Sequence, residues 1–279
     1  MAENNALSGQ VAIVTGASRG IGADIARVLA REGMTVIACA RTMEEGDFHI
    51  PGSLRSTVDS INSAGGKAVA YRCDLSKEEQ INELWEFAVR EFSHVDALVN
   101  NAAIAVPGTI ETMSWRHFHL NLVIDVVAPV LLSRLAVAHM RQLGRGAIVN
   151  ISSGASRGPG RGPYKRTSVG GTPYGLSKAA LERFTQGLAS ELWEDNISVN
   201  AMSPARQIYV GGTIYVTQTN PTYSVGDLAG KRKDGTIMGD ACAAIFRADR
   251  RQFTGVVSTD EGVLTELTGI KTFDHYATY

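Results

Sequence analysis

Val11-Ala-Ile-Val-Thr-Gly-Ala-Ser-Arg-Gly-Ile-Gly22 is the stretch whose reading decides the fold. The unbroken apolar run Val11–Val14 has the character of a strand buried on both faces. It feeds directly into a glycine-rich turn, and Ile25, Val28 and Leu29 then fall at helical spacing. A strand, a glycine turn and a helix in that order make a phosphate cradle. Gly16 permits the tight turn, Gly20 lets backbone approach a pyrophosphate, and Gly22 lets the helix lie close on its strand. The helix N-terminus then presents unpaired N–H groups and a positive dipole end to an anion.

Downstream, strand-like and helix-like patterns alternate. Candidate strands are Val11–Thr15, Thr35–Ala40, Ala68–Arg72, Ala97–Asn100, Ala147–Ser152, Ser198–Met202 and Gly255–Ser258. Helical stretches between them include Lys77–Phe92, Trp115–Leu143 and Tyr174–Trp193. The expected fold is α/β: a doubly wound parallel sheet of the Rossmann type, about seven strands with helices on both faces. Residues 1–279 are expected to form a single domain, without a Pro/Ser-rich linker or internal repeat. Ligands in such sheets bind at the carboxyl ends of the strands, where the strand order reverses.

A second informative stretch is Tyr174-Gly-Leu-Ser-Lys178. Tyr and Lys four residues apart on a helix share a face, so their polar ends can meet at one substrate. A tyrosine that moves protons at neutral pH needs its pKa lowered by ~3 from its ordinary ~10, or ~4 kcal/mol. A nearby ammonium supplies part of that by favouring the phenolate.

Four ordered motifs now stand in the chain: Thr-Gly-x-x-x-Gly-x-Gly at 15–22, Asn100-Asn-Ala-Ala103, Ser152-Ser153 after a strand, and Tyr174-x-x-x-Lys178. Together they resemble the short-chain dehydrogenase/reductase family, in its single-domain branch, over nearly the whole chain. The resemblance implies catalytic roles for Asn121, Ser153, Tyr174 and Lys178. Tyr174 would protonate a carbonyl oxygen as hydride arrives, and Ser153 would hydrogen-bond that oxygen. Lys178 would bond the nicotinamide ribose and lower the tyrosine's pKa, and Asn121 would support the lysine through a water. It also implies cofactor contacts at Gly16, Ser18, Arg19, Gly20, Ile21, Gly22, Arg41, Asp74, Leu75 and Asn100, together with Tyr174 and Lys178. Asp74 and Asn100 also suit turn capping.

The cofactor is expected to be NADP(H) rather than NAD(H). An acid after the second strand would bond the ribose hydroxyls of NAD, whereas an Arg accommodates the extra phosphate. Thr35–Ala40 ends without an acid and is followed by Arg41, with Arg19 in the glycine loop as a second planar fork for that phosphate. The expected activity is a reversible carbonyl reduction to a secondary alcohol. A catalytically silent NADP-binding scaffold or redox sensor is the alternative.

Three departures from the family pattern stand out. Ser153 and Tyr174 are separated by a long insertion, residues 154–173, containing Arg157-Gly-Pro-Gly-Arg-Gly-Pro-Tyr-Lys-Arg166. Ala103 replaces a common Gly, and Pro204-Ala205 stands where Pro-Gly is usual. The substrate pocket is expected in the region 203–235, where Tyr209, Ile214, Tyr215, Val216 and Tyr223 suggest an apolar substrate body.

Composition bounds the partners. A net charge of −1 gives no global attraction for nucleic acid or an anionic membrane surface. No run approaches ~18 apolar residues, and the polar start Met1-Ala-Glu-Asn-Asn5 lacks a secretory form, so a cytoplasmic protein is expected. Cys39, Cys73 and Cys242 make no Cys-x-x-Cys pair, the histidines are scattered, and no metal site is expected. The family resemblance implies a homodimer or homotetramer built on the two long helices.

Overall fold

The structure, a computed structural model of the chain, describes residues 7–105, 109–164, 171–208 and 232–278. Strands β1 (Val11–Thr15), β2 (Thr35–Ala40), β3 (Lys67–Arg72), β4 (Ala97–Asn100), β5 (Gly146–Ile151), β6 (Ile197–Ser203) and β8 (Val257–Thr259) form one sheet. Its order is β3-β2-β1-β4-β5-β6-β8, with every neighbouring pair parallel. The order reverses between β1 and β4, and a crevice opens there beyond the strands' carboxyl ends. The two short strands β7 (Arg232–Lys233) and β9 (Ala277–Thr278) make a separate antiparallel ribbon.

Side chains of a strand alternate between faces, and β1 shows both layers. Ala12 and Val14 join one core with helices α1 (Gly20–Arg31), α7 (Thr236–Arg247) and α8 (Asp260–Thr268), while α2 (Leu54–Ser63) flanks it. Val11 and Ile13 face the other core, with α3 (Glu78–Phe92), α5 (Ala128–Leu143) and α6 (Thr172–Glu191). A strand buried on both faces reads as unbroken apolar sequence for this reason.

Helix α4 (Trp115–Leu122) continues through a widened π-turn, Val123–Val127, into α5. The combined helix, Trp115–Leu143, is long and apolar enough by composition to cross a membrane, and half of its most apolar window is buried in the fold. Its inward stripe of Ile124, Ala128, Leu132, Ala136 and Met140 is the packing face of a helix covering a sheet. Pro129 follows the π-turn. Its missing N–H leaves a turn without a hydrogen bond at the point where the helix is widened.

Residues 273–278 are fixed to the fold. Tyr276 is buried and its hydroxyl donates to Asp240 at 2.6 Å, while Phe273 lies under the Lys233 ammonium. Lys233 N–H donates to Gln207 at 3.1 Å, and Ile208 forms a bridge to Lys233. Residues 209–231, where the sequence places Tyr209, Ile214, Tyr215, Val216 and Tyr223, lie outside the described residues, as does Tyr279.

Candidate active site

The carboxyl ends of β1 and β4 are tied by one hydroxyl. Thr15 Oγ1 donates to Val99 O at 3.2 Å and accepts from the N–H groups of Asn101 and Ala102 at 2.9 and 3.0 Å. Asn101 Nδ2 donates to Thr15 O at 2.8 Å. The glycine turn is thereby pressed against residues 101–102. A Cβ on Gly16 would stand 2.8 Å from Ala102 Cα, and one on Gly22 would overlap the Asn101 side chain. Gly16 and Gly20 also take positive φ, 67° and 60°. Helix α1 has no side-chain cap and no acid in its first turn, so its N–H groups face the cleft unspent. This cradle fits a pyrophosphate.

A cleft of about 610 Å³ runs from that turn to Tyr174. Gly16, Ser18, Gly20, Ile21 and Gly22 line it, with Arg19, Arg41 and Leu75 at its outer part. Arg19 does not reach outward as a bare fork. It donates to the carbonyls of Pro51 and Gly52 at 3.1 and 2.7 Å and to Thr42 at 3.2 Å, and stacks 5.3 Å from the Phe48 ring centroid. It pins the segment after β2 over the cleft, while Arg41 is exposed at the rim.

Asp74 accepts from the Ser76 N–H and hydroxyl at 3.0 and 2.8 Å. Burial works to raise its carboxyl, yet those two bonds hold it below the usual carboxylate range. The side chain thus caps its own turn, as the sequence reading left open. Asn100 turns away from the cleft. Its Nδ2 donates to Asn150 Oδ1 at 2.8 Å, and Asn150 donates to Thr185 at 2.8 Å, making a buried ladder between β4, β5 and α6. The neighbouring Asn101 lines the cleft instead, because successive residues face opposite ways.

Tyr174 opens onto the cleft from the first turn of α6. Four residues on, Lys178 is 2% exposed, with Nζ 5.5 Å from the tyrosine ring centroid. The ammonium donates to Ile151 O at 2.9 Å, which ties α6 to the end of β5. Ser153 is partly exposed and its Oγ accepts from Ala155 N–H at 3.2 Å. Ser152 faces the other way, where Glu182 Oε1 accepts from the hydroxyls of Ser152 and Ser156 at 2.6 and 2.7 Å.

The fourth position differs from the expectation. Asn121 is fully buried, but its Nδ2 donates to Ile104 O at 2.7 Å and is not among the partners of Lys178. Asp125, in the π-turn and also fully buried, stands 3.5 Å from Lys178 Nζ. Burial raises the Asp125 carboxyl above its usual range, against the pull of Lys178 and the Ile104 N–H. Burial likewise lowers the lysine, with Asp125 opposing it. Sequence reasoning missed Asp125, Thr15 and Glu182. For Asp125 a signal existed: it is the only charge between Leu120 and Ser133, and a buried charge needs a partner.

In the inserted segment, Gly154–Ser156 form a 3-10 turn in which Ser156 is partly covered, and residues 157–164 are exposed; residues 165–170 lie outside the described residues.

The family model described as short chain dehydrogenase matches residues 10–208. Short-chain reductase protein NovJ of Streptomyces niveus is 37% identical over 194 residues, covering 70% of this chain and 68% of NovJ. Hydroxysteroid dehydrogenase-like protein 2 of Danio rerio is 34% identical over 275 residues, covering 97% of this chain and 61% of the relative. This chain therefore spans about three-fifths of that relative's length. A crystal structure of a metagenomic short-chain oxidoreductase in complex with NADP is 30% identical, with a TM-score of 0.72, covering 90% of this chain and 97% of the other.

Proposed function

The chain belongs to the short-chain dehydrogenase family, and on that premise we propose that it is an NADP(H)-dependent oxidoreductase interconverting a ketone and a secondary alcohol. One observation carries the reading. Tyr174 faces the cleft that begins at the glycine cradle, with the buried Lys178 ammonium behind its ring. When bound, the cofactor supplies or accepts a hydride at the carbonyl carbon. Tyr174 Oη gives a proton to the carbonyl oxygen in reduction and takes it back in oxidation. Ser153 Oγ holds that oxygen in line as charge develops on it. The cradle of Gly16, Gly20 and Gly22 and the N-terminus of α1 hold the pyrophosphate. Arg41, exposed at the rim, and Arg19 hold the additional phosphate that separates NADP from NAD.

Support for the cofactor comes from the lack of an acid at the end of β2 and from the NADP bound to the metagenomic relative. The protein assembles as a homodimer or homotetramer. This is supported by apolar side chains left exposed on the two long helices: Trp115, Val127, Val130, Leu176 and, just past α6, Trp193.

Incubation with NADPH or NADH and a panel of alicyclic and aromatic ketones tests the reading through loss of nicotinamide absorbance. Turnover with NADPH preferred is expected. Tyr174→Phe should lower kcat by ~100-fold or more while NADPH still binds. Full activity in that variant would sink the mechanism, and tight NADPH binding without turnover would favour a silent scaffold.

A further inference from the structure

We propose that Asp125 is a positioning residue that sets how tightly Tyr174 holds its proton, acting through Lys178. This rests on the reading of Tyr174 as the proton donor. The resemblance to the family implies a neutral amide supporting the lysine, whereas this chain brings a carboxylate to it.

The geometry leaves Asp125 two hydrogen-bonding neighbours besides the lysine. Oδ1 accepts from Ile104 N–H at 2.9 Å, and Oδ2 lies 3.5 Å from the Ser177 hydroxyl, which itself donates to Tyr174 O at 2.8 Å. The π-turn fixes the carboxylate there by displacing it from a regular helical position. Both charges are shut from water, Asp125 at 0% and Lys178 at 2% exposure, so solvent screens little of their mutual field.

An ammonium alone behind a tyrosine favours the phenolate. An ammonium paired with a carboxylate presents a weaker field, and part of that favour is withdrawn. Among the described residues, the other ionisable groups on the elements around this site do not replace the pair. Glu182 lies on the same helix and is bonded to Ser152 and Ser156. Arg116, His117 and His119 belong to α4, and Arg157 follows the 3-10 turn. Arg183 and Glu191 lie further along α6, and Arg19 and Arg41 stand at the outer part of the cleft. Strands β5, β6 and β8 carry no ionisable side chain. Among the described residues, Asp125 is the carboxylate that pairs with Lys178, at 3.5 Å. The pair therefore lowers the Tyr174 pKa less than an unpaired lysine would, leaving more of the protonated form that reduction uses.

The test is a near-ultraviolet tyrosinate titration of the whole protein without cofactor, taken as the difference from Tyr174→Phe. Tyr174 is expected to ionise above ~8, between the lowered value an unpaired lysine would give and its ordinary ~10. In Asp125→Asn, which keeps an oxygen for the Ile104 N–H, the midpoint should fall by about one pH unit or more. The alkaline limb of ketone reduction should move down by the same amount. An unchanged midpoint in Asp125→Asn overturns the proposal, as does a wild-type midpoint below ~8. If Asp125→Asn does not fold, the wild-type midpoint decides alone. The titration needs no turnover, so an absence of ketone reduction would fail the functional reading and leave this result to stand by itself.

Discussion

Asn121 and Asp125, one turn apart, grip the same residue from both sides: Asn121 donates to Ile104 O at 2.7 Å, and Asp125 accepts from Ile104 N–H at 2.9 Å. The strand-end loop that follows β4 is thereby fastened to the helix behind it. The two residues are nevertheless separable, because only Asp125 reaches Lys178. Asn121→Leu leaves the Ile104 carbonyl without its donor and should cost about 1–3 kcal/mol in urea unfolding. It should leave the pH midpoint of Tyr174 where it is. A shifted midpoint would mean that Asn121 shares the electrostatic role.

Gly22 is held against Asn101 and the Gly16 carbonyl, so even one methyl has no room. Gly22→Ala should push the turn off the ends of β1 and β4, costing about 1–3 kcal/mol of stability. NADPH affinity should fall with it, measured by quenching of protein fluorescence alongside thermal melting. Wild-type affinity would show that the turn relaxes without widening the cradle.

The two cleft arginines should respond differently. Arg41→Ala should weaken NADPH binding by ~10-fold or more and leave NADH nearly unchanged, since a charge-assisted bond to the extra phosphate contributes about 1.5–3 kcal/mol. Arg19 holds Pro51, Gly52 and Thr42 through its fork. Arg19→Lys keeps the charge but not the fork, and should open residues 43–52 to limited proteolysis as readily as Arg19→Ala does. Protection by lysine would assign the role to charge alone.

His139 Nε2 accepts the Val95 N–H at 3.2 Å, which requires a neutral ring at that nitrogen. Burial pushes its imidazole below the ordinary value; His94 adds to this and Asp96 opposes it. The unfolded chain therefore takes up the proton first as pH falls. The stabilisation is complete above the unfolded ~6.5 and is lost as pH drops through the lower folded value. Melting temperature should decline from pH ~7 to pH ~5 less steeply in His139→Gln, which keeps an acceptor, than in the wild type. Parallel declines would place the acid sensitivity elsewhere.

Strands were legible because burial on both faces writes them as unbroken apolar runs. Val11–Thr15, Thr35–Ala40 and Ala97–Asn100 have the same limits in sequence and structure. Tyr174 and Lys178 were legible because regular helical spacing brings them to one face. Asp125 was not, because the π-turn changes which positions of a helix look inward; the lone charge in an apolar run marked the residue but not the partner it meets. Asn100 and Asn101 are adjacent and identical in type, so only the strand's phase tells which one meets the cleft. The sequence showed Arg19 as a candidate for phosphate but not that its fork also serves backbone carbonyls of a distant segment. Such a partnership, 32 residues apart, has no local pattern.

The bridge between Ile208 and Lys233 brings the two flanks of residues 209–231 together, and the Tyr276–Asp240 bond secures the tail that pairs with β7. A chain held at both stems can lengthen between them at small entropic penalty, since closure free energy grows only logarithmically with length. The framework is thus closed at residues 208 and 233 by contacts among the described residues, so the sheet and the proton-handling residues keep their register independently of the sequence between those stems.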